Sequence, residues 1–186
     1  MSEVKKFMNL KSITAFFYDQ KFIWPVIFIS LFFSACGYRF AGSGNLPEGI
    51  QTIAIDIFEN RTSETGLENT ITNDLIYEFT RKGRSVQKNS KKADAILTGV
   101  IVSERITTIS RQAQQSPLAR RVEIAVNLKL TGSDGKVKWS ASNVSEFEEY
   151  DVATDRQVTD INKRRAIENL SKKLSEKVYS RLTDNF

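Results

Sequence analysis

The chain has no histidine, one cysteine, three prolines and two methionines among 186 residues. Without histidine, the commonest general base and the commonest metal ligand are both missing, which discounts much hydrolytic and zinc chemistry. A single cysteine, Cys36, excludes an internal disulfide and leaves one thiol to account for. A long hydrophobic run is also lacking: Phe22 to Phe33 is apolar over 12 residues, broken by Pro25 and Ser30. As a helix it would reach only ~18 Å, short of the ~30 Å core of a bilayer. Nor does one sign of charge dominate, with 27 Lys and Arg against 22 Asp and Glu. Four lysines, Glu3 and Asp19 precede residue 22, so the chain from Cys36 onward holds 23 basic and 20 acidic residues. Such a balance does not demand nucleic acid, and no zinc-finger or RNP-like motif supports that partner.

What is present begins with a leader. Lys5, Lys6, Lys11 and Lys21 form a basic region, the apolar run follows, and the small residues Ser34 and Ala35 stand just before Cys36. A charged start, a short apolar middle and small residues at the end describe a signal peptide over residues 1–35. Small residues followed at once by cysteine resemble a bacterial lipobox, with Phe33 where leucine is usual. The resemblance implies cleavage before Cys36, diacylglycerol on its sulfur and acylation of the new amine. Three acyl chains at ~0.8 kcal/mol per buried methylene would anchor the chain firmly. A lone cysteine is otherwise a small buried hydrophobe or a free thiol. By resemblance to the enterobacterial sorting rule, Gly37 rather than Asp favours the outer membrane. Residues 36–49, rich in Gly and ending in Pro47 and Gly49, read as a flexible tether.

The remainder, residues 50–186, reads as one domain. Thr52 to Phe58 alternates Ile53, Ile55 and Ile57 with polar or small residues, a strand with one buried face. Glu59 to Ser63 is a polar turn, and Thr65 to Glu68 matches a capping box. The helix it predicts buries Leu67, Ile71, Leu75 and Phe79, with Ile76 beside them, and stops at Gly83. A short strand at Ser85–Lys88 and a loop at Asn89–Lys92 lead into Ala93–Ser110, a β-branched run in which Gly99 suggests a bulge or bend. Val122, Ile124, Val126, Leu128 and Leu130 then alternate with polar residues. Asp134-Gly135 supplies a hairpin turn, and the strand returns from Lys136 to about Tyr150. A second capping box, Thr154 to Gln157 with Val158 placed for a staple, starts a helix running to about Leu182. Its stripe is Ile161, Ile167, Leu170, Leu174, Val178 and Leu182. A basic amphipathic helix also suits a membrane surface, but an antiparallel sheet with one apolar face needs a cover.

The expected fold is α+β, a two-layer sandwich with two helices on one face of a mostly antiparallel sheet of about four strands. Cys36 to Phe40, Leu46 to Ile50, Ile53 to Asn60, Gly66 to Glu68 and Ala93 to Gly99, in that order, resemble the LptE lipopolysaccharide-assembly lipoproteins. The resemblance implies a plug and assembly factor inside the outer-membrane β-barrel LptD that binds lipopolysaccharide on its way to the outer leaflet.

A phosphorylated glycolipid calls for cations against phosphate, preferably Arg forks, with apolar neighbours for the acyl chains. Arg111 stands where the family carries a basic residue at a hairpin end, and Arg120 and Arg121 across the same loop would cluster with it. Lys136, Lys138 and Arg156 are further candidates. Each has a plainer role, since charged residues at strand ends keep edges soluble. No catalytic residue, metal or cofactor beyond the lipid on Cys36 is expected. Two other classes stay open. One is another outer-membrane lipoprotein acting as a secretion-system or envelope adaptor. The other is an envelope hydrolase built on Glu146, Glu148, Glu149 and Asp151, whose carboxylates nothing in the sequence sets apart as acid and base.

Overall fold

The computed structural model describes residues 46, 47, 49–109 and 118–184. The leader, Cys36, most of the tether and Arg111 lie outside them. The elements in chain order are β1 (Thr52–Ile55), β2 (Glu59–Asn60), α1 (Leu67–Arg81), β3 (Ser85–Gln87), β4 (Ala95–Ile109), β5 (Ala119–Gly132), β6 (Val137–Asp151) and α2 (Arg156–Thr183). A 3-10 turn at Ser90–Lys92 precedes β4.

The strands form one six-stranded sheet in the order β3-β1-β4-β5-β6, with β2 on β4. β1, β2 and β3 enter in parallel, and only β4, β5 and β6 form an antiparallel meander. The expected class holds, but the sheet is larger and mixed. The chain climbs β1, returns through α1 and climbs again as β3, which makes the two strands parallel. β2 and β3 span two and three residues, too short to leave a period in sequence.

α1 buries Leu67, Ile71, Leu75 and Phe79 against the sheet, as its spacing predicts. It ends in a Schellman motif: Gly83 has φ 75, its amide donates to Thr80 O, and the Arg84 amide donates to Phe79 O. Its start differs from expectation, because the N-cap is Gly66 with φ 91 and no side chain caps it. Glu68 instead takes a hydrogen bond from Asn60 Nδ2 at 2.9 Å.

α2 is capped by Asp155, whose carboxylate accepts from the Gln157 amide at 2.8 Å, one residue after the expected cap. Ile167, Leu170, Leu174, Val178 and Leu182 are buried, joined by Ala166 and Tyr179. Ile161, at 42% exposed, does not share their burial, and Val158 is exposed, so the expected staple is absent.

Irregularities in the strands set which residues face the core. Ile55 pairs with Leu97 and Glu59 with Val100, so the chain carries one extra residue between β1 and β2. Ile57 is therefore turned out at 69% exposure, and Phe58 is buried instead. β4 carries a bulge at Val102, between Ile101 and Ser103, rather than at Gly99. β6 carries another around Asn143, which adopts φ 52 while its amide donates to Asn127 Oδ1 at 2.9 Å. A one-residue slip moves every following side chain to the opposite face. The core also takes in Leu46, 6% exposed, so packing starts inside the predicted tether.

Candidate functional site

The face of the β4–β6 meander turned away from the helices is set by period-two alternation. β5 puts Val122, Ile124 and Val126 into the core, so Arg121, Glu123 and Asn127 take the other face. Beyond its bulge, β4 sets Arg105 opposite Glu123 and Thr107 opposite Arg121. β6 completes the row with Phe147 opposite Glu123 and Glu149 opposite Arg121.

Arg121 is the centre of this group. Its Nη2 donates to Glu149 Oε1 at 2.8 Å, and Cζ lies 4.3 Å from the centroid of the Phe147 ring. Phe147 is 45% exposed, so a planar cation and an apolar ring share one open surface. Arg121 Nε is buried without a hydrogen-bond partner among the described residues. Arg105, Phe147 and Glu149 were not singled out as lipid contacts in the sequence, because a bulge decides which face Arg105 takes.

Arg120 precedes Arg121 on the same strand and lies opposite the buried Tyr150, so the two arginines point to opposite faces and do not form one cluster. Arg156 is exposed as the first residue of α2. It lies at the same end of the sheet, where the Val152 amide donates to Leu118 O at 2.7 Å. Lys136 and Lys138 lie at the other end, in and after the β5–β6 turn. From Arg121 to that turn is more than roughly 30 Å of strand. Lys138 Nζ pairs with Asp134 at 3.0 Å, and Asp134 is held below its ordinary pKa by that hydrogen bond and by the Lys136 amide.

The four acidic residues of the hydrolase alternative are divided by the same alternation. Glu146 and Glu148 turn towards α2, where Lys177 and Lys173 meet them at 2.9 and 2.6 Å. The hydrogen bond to Glu148 raises the pKa of Lys173. Glu149 takes the opposite face beside Arg121. These carboxylates are counter-ions that tie α2 and β5 to β6. Among the described residues no three His, Cys, Asp or Glu side chains are grouped to hold a metal ion. No helix among them is long and apolar enough to cross a membrane.

The described residues form an α+β two-layer domain, two helices on one face of a mixed six-stranded sheet. The family model described as "LptE: Lipopolysaccharide-assembly" matches residues 50–182. The chain belongs to the LptE family. No curated protein sequence matches it. Among solved structures it is similar to the rare lipoprotein B from Shewanella oneidensis, at 6% identity and a TM-score of 0.49, covering 72% of this chain and 95% of that one. It is also similar to a lipoprotein B from Nitrosomonas europaea, at 11% identity and TM-score 0.49, over 72% and 83%. The minor lipoprotein from Acinetobacter baumannii follows at 10% identity and TM-score 0.45, over 71% and 94%.

Proposed function

We propose that this chain is a lipoprotein, acylated on Cys36 and held at the outer membrane, that plugs the lipopolysaccharide-export barrel LptD and handles lipopolysaccharide during its delivery. The observation that carries the reading is the family match across residues 50–182. The geometry supports it in two ways. A plug must show polar surface to a wet lumen, and the helix-free face presents Arg105, Arg121, Glu123 and Asn127. A phosphorylated glycolipid needs a cation beside apolar surface, and Arg121 over Phe147 provides that pair. We place the lipopolysaccharide contact at this end of the sheet on the open face of Arg121 and Phe147, with Arg156 at the same end and Arg111 kept as the further cation expected from the sequence. No catalytic role is assigned.

Photo-crosslinking in cells tests the reading. A crosslinker at Asn127, on the helix-free face, is expected to capture a barrel of the ~26-strand class. A crosslinker at Lys172 on α2 serves as the comparison position. Capture of a secretin or of peptidoglycan from Asn127 would overturn the plug reading in favour of an envelope adaptor.

A further inference from the structure

β6 is the last strand of the sheet, and among the described residues only β5 pairs with it. A strand with one neighbour turns every second amide and carbonyl outward. The phase is fixed where the Val152 amide donates to Leu118 O, since the bonded register then runs back through Tyr150, Glu148, Glu146 and Val144. Ser145, Phe147, Glu149 and Asp151 therefore point their backbone groups away from β5. Two of those carbonyls are taken by α2: Lys177 Nζ donates to Ser145 O at 2.7 Å, and Asn162 Nδ2 donates to Asp151 O at 3.0 Å. Between these two caps, no hydrogen bond among the described residues reaches the outward amide or carbonyl of Phe147.

The first half of β6 is guarded by Lys136 and Lys138 at its start and by the irregularity at Asn143, devices that keep an edge from pairing. Its second half, Val144 to Asp151, has neither proline nor lysine and keeps an unbroken register with β5. Beside that half, the sheet edge and α2 enclose an open cleft of about 160 Å³, walled by Glu148 to Asp151 on one side and by Asn162, Arg165 and Asn169 on the other. Glu148 is neutralised by Lys173, whereas Arg165 makes no ion pair among the described residues. A groove between an edge strand and a helix is where an extended segment adds itself to a sheet, with backbone bonds giving affinity and alternate side chains giving specificity.

We propose that the second half of β6 receives an extended segment of the barrel partner as a further strand. This pairing deepens the plug reading and rests on it. The segment must come from outside the barrel wall, because each strand of a closed barrel already has two neighbours. Its side chains have defined seats. One lies on the open face beside Phe147 and is apolar, and the next points into the cleft and is acidic, to meet Arg165. A second copy of this chain is the poorer occupant, since pairing β6 with itself would bring together two runs that each hold Glu146, Glu148, Glu149 and Asp151.

The test uses the full chain copurified with the barrel, with hydrogen exchange read amide by amide. In the chain alone the Phe147 amide is expected to exchange fast and the Glu146 and Glu148 amides slowly. In the complex the Phe147 amide should slow by at least about five-fold, the factor of one net hydrogen bond. Ser145→Pro removes an outward amide and leaves the β5–β6 bonds in place, so it should weaken retention of the barrel about five-fold relative to Ser145→Ala. Slow exchange of the Ile124 and Val126 amides in both variants is the folding control. An unchanged Phe147 amide in the complex, or equal retention by the two variants, overturns the proposal, while capture of the barrel from Asn127 keeps the plug reading standing. Protection that rises with the concentration of the chain alone assigns the edge to a second copy and also overturns it. If no barrel copurifies at all, the plug reading fails and the added strand falls with it.

Discussion

A Cβ built on Gly99 would stand 2.2 Å from Cε2 of Phe58, closer than any real contact. The glycine is required by the ring that fills its place, not by a bend in its own strand. Phe58 is buried and held from the backbone side, where its amide donates to Thr72 Oγ1 on α1 at 3.1 Å. The ring has little room to retreat, so Gly99→Ala is expected to destabilise the domain by about 1–3 kcal/mol, the usual cost of overpacking. Urea unfolding of the single variant and of Gly99→Ala/Phe58→Leu checks this. The second substitution should recover part of the loss if the clash is the cause, and additive losses would point elsewhere.

Among elements, α2 is the one whose placement depends most on charge. Lys163 reaches both Glu64, ahead of α1, and Glu104 on β4, at 3.2 Å from the latter. Glu104 is only 8% exposed at its side chain, because the Val102 bulge turns it towards the helices. Burial pulls the pKa of Lys163 down, but the hydrogen bond to Glu64 and the ion pair with Glu104 outweigh it and leave the value above the ordinary one. A raised lysine pKa stabilises the fold fully below the unfolded value of 10.5 and loses that contribution as pH rises through the folded value. Lys163→Met should therefore lower stability at neutral pH, by about 1–3 kcal/mol, because it strands a buried carboxylate. It should also abolish the corresponding loss of stability above pH 10.5. Lys163→Met/Glu104→Leu should recover most of the difference at neutral pH. Denaturant unfolding of the three proteins across pH separates these outcomes, and an unchanged alkaline limb in Lys163→Met would refute the pairing.

At the scale of the described domain, charge is polarised along the strands. One end gathers lysines around Asp94, and the other carries the Arg121–Phe147 pair. If lipopolysaccharide is met at the second end, Arg121→Asp should weaken its binding by about tenfold or more, since a phosphate contact is replaced by like-charge repulsion. Adding Arg111→Asp should weaken it further. Phe147→Ser should cost affinity without changing the salt dependence, because it removes apolar contact and no charge. Titration of purified protein with lipopolysaccharide at two salt concentrations reads all three. Wild-type affinity in the double arginine variant would sink the assignment.

The sequence by itself determined the elements with a strong period. α1 with its Gly83 stop, the buried row of β5 and the Asp-Gly hairpin could be read directly, because each is specified by neighbours in the chain. The same held for the family resemblance, which needed only ordered blocks. The tertiary structure alone decided the phase of the strands. A bulge costs one residue and leaves no composition signal, yet those at Val102 and Asn143 choose whether Arg105, Glu104, Glu146 and Phe147 face the helices or the open side. The parallel placement of β1, β2 and β3 was hidden for a related reason, since strands of two to four residues are recognised by their partners rather than by their own pattern. The candidate basic cluster divided in the same way. Arg120 and Arg121 are neighbours in sequence, but a pleated strand turns neighbours apart, while hydrogen bonds to Asp94 draw Thr52 and Ser133 together across long stretches of chain.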